Sequence, residues 1–135
     1  MDEILAALAK DRTIDIVTTG ARTAKLRTTE IWFTRVEGRI IICGTPDAIG
    51  SNGARLIRDW LANLKANPEF LFVLKESLSA QLLARAVPIV DVADRRRLMS
   101  APETKWYRDQ VESVEDLIEG SPIVEVFFRD FRYAE

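Results

Sequence analysis

The sequence predicts a mainly β fold with helices (α+β): an antiparallel barrel or sandwich of about six strands, flanked by short helices. Three observations carry that prediction. Apolar, β-branched segments recur with period-two alternation; Glu37-Gly38 reads as a tight hairpin between two of them; and the helix-like segments are few and short. With 135 residues and 47% apolar composition, the chain fits one domain, residues 1–135, with material for a normal core.

The elements follow in order. Residues 3–10 form a short helix with Ile4, Leu5 and Leu8 on one side. Strands are expected at 14–19, 28–36 and 39–45; in the second, Ile31 and Phe33 share one face, and Trp32 and Thr34 the other. Between the second and third, Gly38 supplies the positive φ a two-residue turn requires. Pro46 to Ala54, rich in Gly, Asn, Asp and Ser, reads as a loop. A helix is expected over 55–66 with Leu56, Ile57, Trp60, Leu61 and Leu64 on its apolar face, Asn67 as C-cap and Pro68 forbidding continuation. Phe70–Leu74 and 79–90 are the next strands. Asp91 caps a helix through Leu98, with Asp94 in its first turn. Ser113 and Asp116 have capping-box spacing for a short helix to Glu119, and Ile123–Phe128 is the last strand. Gly20 leads into a strand and not a helix, which argues against a dinucleotide-binding βαβ unit.

Charge and composition exclude several function classes. The net charge of −2 and the lack of aromatics interleaved with the basic stretch argue against a nucleic-acid binder. The distribution is uneven: within 20–65, Arg22, Lys25, Arg27, Arg35, Arg39, Arg55, Arg58 and Lys65 meet only Glu30, Glu37, Asp47 and Asp59, whereas 99–135 is predominantly acidic. Cys43, the single cysteine, lies in the apolar run Ile40-Ile-Ile-Cys43 and reads as a buried small hydrophobe. No run of about 18 apolar residues and no basic-then-apolar leader pattern occurs, so no integral membrane segment and a cytoplasmic protein are expected. Histidine is absent. That removes His-based triads and His general acid–base catalysis, and no metal site is expected. Catalysis by this chain would rest mainly on a bound cofactor.

The richest stretch is Asp15 to Glu30. It reads as a β-branched strand, a turn at Gly20, a loop bearing Arg22, Lys25 and Arg27, and a second strand, with Thr18, Thr19, Thr23 and Thr28 close by. Charge-assisted donors and free backbone amides at one sharp turn suit a phosphate or polycarboxylate. A solvated hairpin loop accounts for the same composition.

This stretch resembles the Thr-Gly-Arg-x-(Thr/Ser)-Gly-x-Pro-Arg loop of the deazaflavin-dependent nitroreductase and quinone reductase family, within the flavin-reductase-like FMN-binding split β-barrel superfamily. The likeness continues through Glu30-Ile-Trp-Phe33, Gly38-Arg-Ile-Ile-Ile42 and Asp59-Trp60-Leu-Ala-Asn63-Leu-Lys-Ala-Asn67-Pro68. It extends to Ala84-Arg-Ala-x-Pro88, Asp94-Arg-Arg-Arg97 and Gly120-Ser-Pro-Ile-Val-Glu-Val126. The resemblance implies a split antiparallel β-barrel and coenzyme F-420, an 8-hydroxy-5-deazaflavin, in a groove along it. It assigns Arg22, Thr23 and Arg27, with Lys25 nearby, to the phosphate and glutamate tail, and Thr45, Pro46, Asp59 and Trp60 to the ring. It implies hydride transfer to a small-molecule acceptor: a quinone, nitro compound or activated alkene. FMN, which shares the phosphate, is the alternative cofactor, and a non-catalytic carrier or sensor the alternative role. Such barrels often pair through a face, which admits a homodimer.

The residues leave rival roles open. Trp60 suits the helix core as well as a ring contact, Asn63 a neighbouring backbone group, and Thr45 and Pro46 a strand end. Arg95-Arg96-Arg97 reads as a solvated helix face. Tyr107 and Tyr133, the only phenols, are the candidates for a proton donor, and surface packing accounts for both. Ala21, Ala24 and Leu26 replace the family's commoner Arg or Lys, Gly, and Pro; Leu61 replaces Tyr. The 46–54 loop is longer than usual and lacks a Gly-Gly pair and a Lys.

Overall fold

The computed structural model of the chain describes residues 1–47, 51–53 and 57–133. Its elements are α1 (Asp2–Lys10), β1 (Thr13–Thr19), β2 (Leu26–Val36), β3 (Arg39–Cys43), α2 (Asp59–Ala66), β4 (Glu69–Leu74) and β5 (Ala80–Pro88). Then come α3 (Val92–Met99), a 3-10 turn (Pro102–Thr104), α4 (Lys105–Arg108), α5 (Val114–Gly120) and β6 (Ile123–Phe128). The strands close into an antiparallel barrel in the order β1-β2-β3-β6-β5-β4, with β4 returning to pair with β1.

Strand alternation fills the barrel. On β1, Ile14, Ile16 and Thr18 point inward, as do Phe70, Phe72 and Leu74 on β4 and Leu82, Ala84 and Ala86 on β5. Phe33, Phe72 and Phe128 meet edge to face with ring centroids 5.1 and 5.2 Å apart, a geometry aromatic quadrupoles favour. The run Ile40-Ile41-Ile42-Cys43 does not alternate because β3 is covered on both sides. Ile40 and Ile42 face the interior, while Ile41 and Cys43 join Leu98, Met99, Tyr107, Leu117, Ile118 and Ile123 in a second core under α3, α4 and α5. Burying each such aliphatic side chain stabilises the fold by about 1.5–3 kcal/mol.

The β2–β3 hairpin forms as expected, Val36 opposite Arg39, with Glu37 at φ 53° and Gly38 at φ 76°. Asp91 caps α3 by accepting from the Asp94 amide. Several boundaries differ from expectation. β2 begins two residues early because Leu26 and Arg27 pair with Thr19 and Thr18. β3 ends at Cys43, where the Gly44 amide turns to the Pro122 carbonyl, and β5 is confined to 80–88. α2 starts at Asp59, not 55: Arg58 is extended as its N-cap, and Ile57 is 53% exposed. Residues 55 and 56 of that expected helix, and 48–50 and 54 of the expected loop, lie outside the described residues. At α5 the box is not closed, since Asp116 bonds the Ser113 carbonyl and not its hydroxyl. The turn and α4 at 102–108 were not anticipated.

Among the described residues no helix is long and apolar enough to cross a membrane, and no cluster of His, Cys, Asp and Glu could hold a metal ion.

Candidate functional site

The turn between β1 and β2 is built from backbone. The Gly20 amide donates to the Lys25 carbonyl at 2.7 Å and the Ala24 amide to the Gly20 carbonyl at 3.0 Å. A Cβ at Gly20 would sit 2.6 Å from Thr23 Oγ1 and 3.2 Å from the Lys25 carbonyl, so a larger residue there would have to displace the Thr23 hydroxyl. Ala24, where the family more often has glycine, keeps a left-handed backbone at φ 58°. The departure from the family pattern therefore strains the turn without unfolding it.

α2 fixes this turn from the side. Asn63 is buried; its Oδ1 accepts from the Ala21 amide at 2.9 Å and its Nδ2 donates to Thr18 Oγ1 at 3.2 Å. Asn67 Nδ2 reaches the Thr19 carbonyl at 3.4 Å. The result is an exposed basic loop on a rigid base. Arg22, Lys25 and Arg27 form no ion pair among the described residues, and the amides of Arg22 and Thr23 bond no acceptor there. Unpaired guanidinium groups beside open amides have the chemistry that suits an anion.

Two adjoining hollows extend from this loop. The first, about 540 Å³, is lined by Arg22, Thr23, Arg27, Asn63 and neighbouring residues. The second, about 610 Å³, reaches Pro46, Asp47 and Arg58. Thr29, Ile57, Asp59 and Trp60 line both, so they form one cleft with cations at one end and an indole in its middle. Trp60 is only 7% exposed and belongs to the barrel core as well. It thus packs in the core and lines the cleft at once.

Arg58 escaped sequence reasoning. Its Nη2 donates to the Thr45 carbonyl at 2.7 Å and to Thr45 Oγ1 at 3.0 Å, and its Nε lies 3.4 Å from Asp47. A Cβ at Gly44 would fall 1.7 Å from Arg58 Nη1. The Gly44 gap therefore seats the guanidinium that ties the Thr45–Asp47 segment to the start of α2. Only the pairing of this arginine with a missing side chain could have signalled it.

Of the residues singled out from sequence, the cleft brings together Arg22, Thr23, Arg27, Pro46, Asp59 and Trp60. Lys25 shares the turn without lining the cleft, and Thr45 supports Arg58. Tyr107 and Tyr133 line other hollows. Tyr107 is buried in the second core, where desolvation pushes its phenol well above the ordinary range. Cys43 is buried against Met99, its thiol pushed up to about 12 by desolvation, and it stays protonated.

The family model for F420H(2)-dependent quinone reductase matches residues 4–118. No curated protein matches the chain. Among solved structures, a conserved hypothetical protein from Mycobacterium tuberculosis superposes with TM-score 0.63 at 16% identity, covering 99% of this chain and 83% of that one. General stress protein 26 from Bacillus anthracis gives 0.61 at 13%, covering 97% and 96%, and an F420 reductase gives 0.57 at 14%, covering 92% and 91%. At these identities the structural likeness establishes the fold.

Proposed function

The chain belongs to the F420H(2)-dependent quinone reductase family, and on that premise we propose that it binds reduced coenzyme F-420 along the Trp60 cleft. There it passes a hydride to a small-molecule acceptor: a quinone, a nitro compound or an activated alkene. The observation that carries this reading is the unpaired Arg22 and Arg27 at one end of a cleft whose middle is an indole. When bound, the reduced deazaflavin supplies the hydride.

The chain's own residues bind and orient. Arg22 and Arg27, with Thr23, hold the phosphate and glutamyl tail, and Lys25 strengthens the local positive potential. Pro46, Asp59 and Trp60 border the ring, with Thr45 and Arg58 holding that wall in place. Asn63 positions the basic turn. Neither phenol lines the cleft, which supports solvent as the source of any proton the acceptor needs.

Oxidation of the reduced deazaflavin, followed with menadione and a nitroaromatic as acceptors, tests the proposal. Saturable turnover is expected, with a flat pH–rate profile between about 6 and 8 because the chain has no histidine. Tight binding without turnover across a broad acceptor panel would replace the enzyme by a carrier or sensor. Tighter binding of FMN than of the deazaflavin would overturn the cofactor assignment.

A further inference from the structure

A smaller hollow, about 220 Å³, opens between the end of α1, β2 and α4, and shares no lining residue with the Trp60 cleft. Its aromatic wall is a pair of indoles, Trp32 and Trp106, with ring centroids 4.1 Å apart and planes inclined by 43°. The Arg12 guanidinium stands 4.8 Å from the Trp32 ring centroid, and Lys10 and Arg35 also line the space. Trp106 remains 39% exposed.

The charge around this hollow is positive at its walls. The Asp11 carboxylate is engaged by the Ser77 amide and hydroxyl, and the Asp11 carbonyl accepts from Arg35 Nη2. Glu76 accepts from the backbone amides of Arg12 and Thr13, and Glu103 offers its carbonyl to Thr34. The lining thus holds Lys10, Arg12 and Arg35 against Asp11 and Glu103, a small positive excess in which Arg35 is already engaged. Tyr107 adds the second observation. It is only 3% exposed and lines the hollow, yet its hydroxyl has no hydrogen-bond partner among the described residues. The ring is buried but the hydroxyl is not fully enclosed, so it can turn to a group in the hollow.

We propose that this hollow binds a small planar aromatic carboxylate, its ring against Trp32 and Trp106 and its carboxylate toward Arg12, Arg35 and the Tyr107 hydroxyl. The three parts of the site call for one ligand: the indoles select a flat apolar ring, the guanidinium groups a carboxylate, and the phenol an acceptor atom. The volume falls below that of sites for drug-sized ligands, which restricts the ring system to one or two rings. The site is independent of cofactor binding in the Trp60 cleft.

The test uses the whole chain and the three indole N–H resonances, with benzoate as probe and benzamide as its uncharged counterpart. The signals of Trp32 and Trp106 should move together and saturate, while Trp60 stays in place. Benzamide and the Arg12→Gln variant should each bind about tenfold or more weakly, the loss of one charge-assisted contact. Tyr107→Phe, which keeps the buried ring, should weaken benzoate a few-fold with the indole spectrum otherwise unchanged. Shifts that never saturate, equal responses to benzoate and benzamide, or a response centred on Trp60 would overturn the proposal.

Discussion

Two arginine-rich segments look alike in the sequence and do opposite things in the fold. In Arg22-Thr-Ala-Lys25-Leu-Arg27 the cations stand in solvent without an acid among the described residues. In Arg95-Arg96-Arg97 every cation is occupied. Arg95 donates to the carbonyls of Ile89, Ile118 and Ser121 at 2.6–2.8 Å, and at 3.4 Å to that of Leu117, closing the end of α5. Arg96 holds Glu115 and Arg97 holds Glu37. The expectation of a solvated face for all three is therefore corrected at Arg95, whose charged form burial disfavours. The difference teaches that a cation's role is decided by the acceptors that distant elements bring to it. Carbonyls at a helix end make a brace; a turn that brings no acceptor leaves the charge open to solvent.

Breaking the occupied side should produce the largest effect on folding. Arg95→Ala strips several carbonyls of their donor and should destabilise by about 2–4 kcal/mol, lowering the melting temperature by roughly 10 °C in a thermal scan. Next comes the base of the open side. Asn63→Ala should cost about 1–3 kcal/mol in denaturant titration, and also weaken deazaflavin binding about tenfold because the Ala21 amide loses its anchor. Ala24→Gly relieves a left-handed alanine and should stabilise by about 0.5–1 kcal/mol, sharpening the view that the turn is held under strain.

The occupied side should also show in acid titration. Asp94 makes a bidentate contact with Arg39 at 2.8 Å, which holds its carboxyl below the ordinary value of 3.8. A depressed folded value means the pair stabilises above the unfolded value and loses that contribution as pH falls through the folded one. The stability gap between the native chain and Asp94→Asn should thus close in acid, below about pH 4. The smallest effect belongs to Arg97→Ala, below about 0.5 kcal/mol, since both members of its pair are mostly exposed.

Most of the barrel was legible because strands carry local signals. Alternation on β1, the Glu37-Gly38 turn and the Asp91 cap each depend on neighbours within a few residues. The segment at 102–108 was missed because Pro-Glu-Thr-Lys-Trp-Tyr-Arg has no apolar period; its placement comes from Thr104 Oγ1 donating to the Leu98 and Ala101 carbonyls. The start of α2 was misjudged because Ile57 fits the apolar stripe, while Arg58 is drawn back toward Thr45 and Asp47. At the cleft, residue types suggested anion chemistry, and the family pattern suggested which cations. The reach of Asn63 across to Ala21 and Thr18 depends on barrel closure and has no local signature.

The central claim is that the unpaired cations of the β1–β2 turn are kept for a ligand's anionic tail. Titrating the native chain and the Arg22→Ala, Arg27→Ala double variant with coenzyme F-420, by cofactor fluorescence at two salt concentrations, tests it most directly. Each arginine should contribute about 1.5–3 kcal/mol, so one truncation should weaken binding roughly 10- to 150-fold and the pair by more. Salt should weaken the native chain further and the double variant little, with the melting temperature of both nearly the same. Unaltered affinity in the double variant, with the same salt dependence as the native chain, would contradict the account and move the anion site elsewhere.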